Sequence, residues 1–172
     1  MATSAAAASP PRISIDLAPD RIERVLGVSS IVLLGFVVAA LARGEAHWGQ
    51  LSWTLWLHLA TMMVTLALTP AILWMRRATP LHRQLGYAWV TALTITAIDS
   101  FAIRMTNHGR LSFIHVLSVV TLIVLPILVS SARRHDHRRH RRAVRGLVIG
   151  ALLTAGFFTF PFHRMLGSWL FG

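Results

Sequence analysis

Two stretches of the chain, residues 58–86 (HLATMMVTLALTPAILWMRRATPLHRQLG) and residues 115–146 (HVLSVVTLIVLPILVSSARRHDHRRHRRAVRG), repeat one pattern. In each stretch a histidine is followed by an apolar run, a proline, an arginine pair and a second histidine beside arginine. From the first histidine, the last three landmarks fall at 12, 18 and 24 residues in one copy and at 11, 18 and 25 in the other. Because internal repeats reveal architecture, the pattern predicts a duplicated two-helix hairpin.

The composition places the chain in a bilayer. Of the 172 residues, 55% are hydrophobic and only 13% are charged, and the mean hydropathy is +0.60. A soluble domain of this size is far less apolar. The absence of cysteine excludes disulfides, thiolate metal sites and c-type haem attachment. The residue order also shows no Ser/His/Asp series, Gly-rich loop or carboxylate pair that would favour hydrolysis or acyl transfer.

Five apolar stretches have the length of roughly 17–25 residues that a helix needs to cross the hydrocarbon core. They predict an all-α integral membrane bundle of five transmembrane helices, in which helix 1 precedes the duplicated hairpin. Residues 1–24 are expected to be a disordered tail and lead-in, and residues 25–172 a single domain. The predicted helices span about 25–42, 52–75, 85–103, 111–131 and 144–162.

Arginine bias predicts the orientation of the bundle. All 17 basic residues are arginine, and 13 of them lie in the N-terminal segment and the second and fourth loops, against 4 on the opposite side. The positive-inside rule then places the N-terminus in the cytoplasm and the C-terminus outside, in a bacterial inner membrane. The fourth loop is also expected to bind anionic lipid headgroups, through Arg133, Arg134, Arg138, Arg139, Arg141 and Arg142.

The four histidines of the repeat form two pairs of equal depth. His58 and His115 lie a few residues inside helices 2 and 4, near the predicted outer face, while His82 and His140 lie just before helices 3 and 5 at the cytoplasmic edge. Thr61, Thr65 and Thr69 share one face of helix 2 with His58, which predicts a polar seam between helices 2 and 4. The simpler interpretation of His58 and His115 is an interhelical hydrogen bond, and that of His82 and His140 is a structural or lipid-headgroup role.

The sequence from Leu57-His58 through Leu81-His82-Arg83-Gln84-Leu85-Gly86 to Phe113-Ile114-His115 and His140-Arg141-Arg142 resembles an uncharacterised family of bacterial multi-pass membrane proteins with a domain of unknown function. The resemblance covers about residues 50–166. It implies a compact helical bundle and no established activity.

The chain is more distantly similar to the two-haem cytochrome b bundle of transmembrane ascorbate and ferric reductases. That resemblance implies that His58 and His115 are axial ligands of an outer haem b, and that His82 and His140 are those of an inner one. His82 and His140 depart from the pattern, because they lie among arginines at the membrane boundary.

Alternatives to haem remain at this point. His58, His115 and Asp99 would suit zinc, iron or copper as two imidazoles and one carboxylate, although Asp99 has Arg104 as another possible partner. The leading hypothesis is a haem-binding redox protein with quinone or membrane-protein partners and no nucleic-acid partner. A membrane subunit or scaffold without a cofactor, and a small-molecule or ion transporter, are the competing classes. Whether the chain is an enzyme is open.

Overall fold

The computed structural model describes residues 18–103, 113–161 and 164–172, and in these ranges all regular structure is helical. This confirms the predicted all-α class. The helices are α1 (Arg21–Arg43), α2 (Trp53–Trp74), α3 (Pro80–Asp99), α4 (Phe113–Arg133), α5 (His137–Leu147), α6 (Ala155–Phe157) and α7 (Met165–Phe171), with a 3-10 helix at Glu45–Gln50 and a π-helix at Val148–Thr154.

Three of these helices are long and apolar enough to cross a membrane. They are α1, α2 and the part of α4 from His115 to Arg133. Many large apolar side chains on their surfaces are exposed, among them Val25, Ile31 and Val32 on α1 and Val119 and Ile123 on α4. Such surfaces suit contact with lipid, because large exposed apolar patches are rare on soluble monomers.

The two hairpin turns are shorter than the apolar stretches predict. The predicted third helix (85–103) begins instead at Pro80 and ends at Asp99, and the predicted fifth helix (144–162) begins instead at His137. Each early start has a side-chain cap: Thr79 accepts a hydrogen bond from the His82 amide, and Asp136 accepts one from the Arg139 amide. Capping residues begin a helix regardless of hydrophobicity, so boundaries drawn from apolar runs were late.

The two turns also share an unusual backbone geometry. Ala78 and His135 each directly follow the arginine pair and precede the capping residue, and both have positive φ, 64° and 57°. Non-glycine residues rarely adopt this left-handed conformation. A positive φ therefore occurs between the arginine pair and the capping residue in both turns.

The last membrane-length stretch is a helical run from residue 137 to residue 157 rather than a uniform helix. α5 passes into the π-helix, where the Thr154 hydroxyl donates to the Ile149 carbonyl five residues earlier at 2.8 Å, and then into α6. The run ends at Phe157, so the prediction that helix 5 reaches residue 162 was wrong. π-segments occur often at functional sites, and this one forms part of a cavity wall described below.

Helix packing mostly follows the chain order. α2 packs between α1 and α3, and α4 packs against α3 and α5, but α7 and the π-helix both return to pack on α1. Gly27 lets α1 approach α2 closely, because a Cβ there would overlap the indole of Trp74. α3 packs against both α2 and α4, and a cavity is lined by all three helices.

The start of the chain's described part is built into the bundle. Asp20 caps α1 by accepting from the Glu23 amide, and the Glu23 side chain in turn accepts from the Asp20 amide. This reciprocal arrangement is a capping box. The prediction that the lead-in extends to residue 24 was therefore wrong for residues 20–24, while residues 1–17 lie outside the described part.

Candidate functional site

A cavity of about 370 Å³ opens inside the bundle, and we call it the central cavity. Its wall is built by α2, α3 and α4, by the π-helix and α6, and by the segment that leads into α7. Most of its lining is apolar, including the small side chains Ala97, Ala151 and Ala155. A volume in the range of about 300–1,000 Å³ and a mainly apolar wall are typical of sites for small molecules and cofactors.

Both histidines of the predicted outer pair line the central cavity. His58 reaches it from α2 and His115 from α4. His58 is half-buried, while His115 is buried and its ring lies 5.7 Å from the ring of Phe101, centroid to centroid. Two imidazoles from different helices thus line one shared space.

Asp99, the last residue of α3, lies beside the His58 ring. Its Oδ2 atom is 3.8 Å from His58 Nδ1, and the side chains of His58 and Asp99 are 22% and 9% exposed. This distance is beyond a direct hydrogen bond, but it places a carboxylate beside one ring nitrogen. Histidines that bind metals commonly orient their second nitrogen toward such a carboxylate.

The three-ligand metal site is not assembled. In the part of the chain that the structure describes, no group of three or more His, Asp or Glu side chains is arranged to hold a metal ion. Asp99 belongs beside His58 rather than with His58 and His115 around one point. Its other expected partner, Arg104, lies outside the described residues.

The threonine stripe faces α3. Thr65 and Thr69 are fully buried. Thr96 donates a hydrogen bond to the Thr61 hydroxyl at 2.8 Å, and the Trp89 indole donates to the Thr69 hydroxyl at 2.9 Å. The stripe therefore does mark an interior face, but the prediction of a seam between helices 2 and 4 was wrong.

A second polar contact joins α3 to α4. The hydroxyls of Ser100 and Ser118 lie 2.6 Å apart, and both residues are buried. α3 therefore connects the helices that carry the two cavity histidines. Thr61 thus hydrogen-bonds Thr96, and Ser118 hydrogen-bonds Ser100.

The inner pair, His82 and His140, lines a separate cavity of only about 50 Å³. Each histidine lies within the first turn of its helix rather than before it, and His140 Nδ1 is 3.3 Å from the Leu128 carbonyl oxygen. One water in the liquid occupies about 30 Å³. The inner cavity therefore has room for about one or two waters and cannot accept a haem macrocycle in this conformation.

A buried ion network lies beside the inner pair. The Glu23 carboxylate is 2% exposed and accepts hydrogen bonds from Arg77, Arg141 and Arg145, with Arg141 Nε at 2.8 Å from Oε1. Arg145 also pairs with Asp20. These contacts tie α1 to the α2–α3 turn and to α5. The sequence did not identify Glu23 as a contact residue, although a lone acid among many arginines was the available signal.

The same contacts set the charge of Asp20. Partial burial raises the pKa of this carboxyl, but hydrogen bonds from the Glu23 amide and the Arg145 guanidinium, with the positive charges of Arg145 and Arg141, outweigh that effect. The pKa of Asp20 therefore lies below its usual value, and Asp20 is ionised at neutral pH.

The arginines predicted to bind lipid separate into two groups. Arg141 pairs with Glu23 and Asp20 and is 27% exposed. The exposed arginine surface consists of the other five: Arg133, Arg134, Arg138, Arg139 and Arg142.

Comparisons with family models, curated proteins and solved structures find no match for this chain. The chemistry of the central cavity therefore has to be read from its own residues. Its wall brings together two imidazoles and a mainly apolar lining, with the Asp99 carboxylate beside one of the imidazoles.

Proposed function

We propose that this protein spans the membrane with five helices and binds one b-type haem in the central cavity, with His58 and His115 as its axial ligands. The observation that carries the proposal is that these two side chains, 57 positions apart in the chain, line one cavity of about 370 Å³. Interhelical hydrogen bonding would account for buried histidines, but it does not require a cavity between them.

The two further spans are α3 and the run from residue 137 to residue 157. α3 has 20 residues, and the run consists of α5, the π-helix and α6. At 1.5 Å per residue α3 is about 30 Å long, which matches the hydrocarbon thickness. The first turn of α3, with His82, and residues 137–145, which carry five arginines, belong at the cytoplasmic boundary, so residues 146–157 form the membrane-embedded part of the second run.

The residues around the cavity fit the needs of a bound haem. Neutral imidazoles are the ligands that a b-type iron takes on both faces, and the carboxylate of Asp99 would orient the His58 ring through Nδ1. Small side chains of α3 and of the π-helix region line this part of the cavity, which supports the placing of a macrocycle there. When bound, haem supplies reversible one-electron transfer, while the protein's part is to ligate it, bury it and exclude water.

The proposal is for one haem rather than two. The inner pair shares its small cavity with Glu23, Arg77 and Arg141, and a macrocycle there would have to displace an ion network in which a buried carboxylate meets three guanidiniums. Breaking such a network costs several kcal/mol. His82 and His140 therefore serve as matched controls for the outer pair.

The test is an optical spectrum of the full-length protein, expressed with added haem precursor and purified in detergent. We expect a Soret band and a pyridine haemochrome ratio of one haem per chain. His58→Ala and His115→Ala should each remove the band from the purified protein, because one remaining imidazole should hold the haem too weakly for it to survive purification. His82→Ala and His140→Ala should retain it.

Two results would contradict the proposal. A wild-type protein that is folded and haem-free despite haem supply would be a membrane subunit or scaffold without this cofactor. Loss of the Soret band in the His82 and His140 variants alone would move the haem to the cytoplasmic end. Size-exclusion profiles of all four variants distinguish lost ligation from lost folding.

A further inference from the structure

One guanidinium lines the otherwise apolar central cavity. Arg164 reaches the cavity from the segment that leads into α7, and it is half-buried. The other titratable side chains in the lining are His58 and His115. Arg164 thus places a permanent positive charge at the same cavity as the two proposed haem ligands.

The backbone that carries Arg164 is held in place by α7. Leu166 and Leu170 are buried in an apolar cluster with residues of α1 and α2, and the Arg43 side chain donates a hydrogen bond to the Leu170 carbonyl. Gly167 fits against the Phe160 carbonyl so closely that a Cβ could not be accommodated. The position of Arg164 is therefore set by packing that involves distant parts of the chain.

The charge of Arg164 is not neutralised within the described residues. Asp20 and Glu23 pair with arginines at the opposite end of the bundle, and Asp99 lies beside His58, with its Oδ2 atom 3.8 Å from Nδ1. A partly buried guanidinium without an anion is costly. A ligand that fills an apolar cavity and carries carboxylates at one edge would supply the missing partner.

Haem b has this form, because its two propionate carboxylates lie on one edge of an apolar macrocycle. We propose that Arg164 binds a propionate of the haem and thereby fixes the rotation of the macrocycle between His58 and His115. This inference rests on the proposed haem site and adds a binding residue to it. Arginine suits the role because its planar donors match a carboxylate in a bidentate pair.

The experiment compares haemin with haemin dimethyl ester, in which both carboxylates are blocked. Each is titrated into apoprotein prepared from haem-limited cells, and dissociation constants are measured from the Soret band in one detergent. The quantity of interest is the ratio of the two constants, because micelle partitioning affects every variant equally. Wild type, Arg164→Gln, Arg164→Lys and the distant control Arg142→Gln are compared.

We expect Arg164→Gln to lower the preference for haemin over the ester by about tenfold, equivalent to about 1.4 kcal/mol. Arg164→Lys should retain part of the preference, since it keeps the charge and loses the bidentate geometry. Arg142→Gln should match wild type, because its side chain is exposed at the other end.

The outcomes separate this inference from the haem proposal. If wild type binds haemin and Arg164→Gln shows the wild-type ratio, the haem site stands and the role of Arg164 is refuted. If wild type binds neither ligand, the haem proposal itself fails. If Arg142→Gln lowers the preference for haemin as much as Arg164→Gln does, the effect is only one of overall charge. This result would also refute a contact between Arg164 and a propionate.

Discussion

Replacing Glu23 by glutamine tests the ion network that joins three parts of the chain. The carboxylate accepts from Arg77, Arg141 and Arg145, whose side chains are 12%, 27% and 22% exposed. An amide has one acceptor oxygen and turns an NH₂ donor toward guanidiniums that also only donate. The substitution therefore removes the negative charge and at least one acceptor while preserving the shape of the side chain.

The expected loss is large. Removing one partner of a buried ion pair costs about 3–5 kcal/mol, and we use the lower end, about 3 kcal/mol, since the arginines retain some contact with water. For a chain of this length, each kcal/mol lowers the melting temperature by about 2–4 °C. Glu23→Gln should therefore melt about 6–12 °C below wild type.

Tryptophan fluorescence on heating in detergent is a suitable assay, because the Trp74 indole donates to the Glu23 carbonyl at 3.3 Å and its environment changes as the network opens. Glu45→Gln is the matched control, since it makes the same chemical change at an exposed site. If Glu23→Gln melted within about 2 °C of this control, the network would contribute little and the reasoning would be refuted.

Two further predictions concern the membrane. A C-terminal alkaline phosphatase fusion should be active, because the arginine distribution places the C-terminus outside; activity of a cytoplasmic fluorescent reporter at that end would reverse the topology. The triple change of Arg138, Arg139 and Arg142 to glutamine should lower co-purified anionic lipid at nearly unchanged melting temperature, since each exposed charge contributes about 1 kcal/mol to lipid attraction. Arg141→Gln should instead lower the melting temperature and leave the lipid content nearly unchanged, because Arg141 is paired with Glu23. Equal lipid content in both variants would contradict the distinction between Arg141 and the exposed arginines.

The helical content could be predicted from local sequence, but the helix ends could not be located from hydrophobicity alone. Apolar runs identified α1, α2 and α4 to within a few residues. α3 and α5 begin with polar turns, so their starts were placed too late. The sequence does contain signals for both helix starts: Thr79 precedes Pro80, and Asp136 precedes a polar helical turn.

The residues of the central cavity were predictable only in part. The repeated spacing indicated that His58 and His115 lie at similar depth, because helical rise converts sequence offsets into depth. It did not indicate that α3 packs against both α2 and α4, nor that Thr61 and Thr96 hydrogen-bond each other. Neighbouring helices in a bundle depend on side-chain packing along their whole length, and a periodic stripe marks a face without naming its partner.

The sequence by itself determined that the chain is apolar, helical and asymmetric in charge, since composition, periodicity and arginine distribution are properties of each segment alone. Only the tertiary structure decided which charges meet. Glu23 binds Arg141 across 118 positions, and Arg164 lines a cavity whose histidines come from α2 and α4. Such contacts arise when separate helices pack, so their partners are fixed by three-dimensional fit rather than by spacing along the chain.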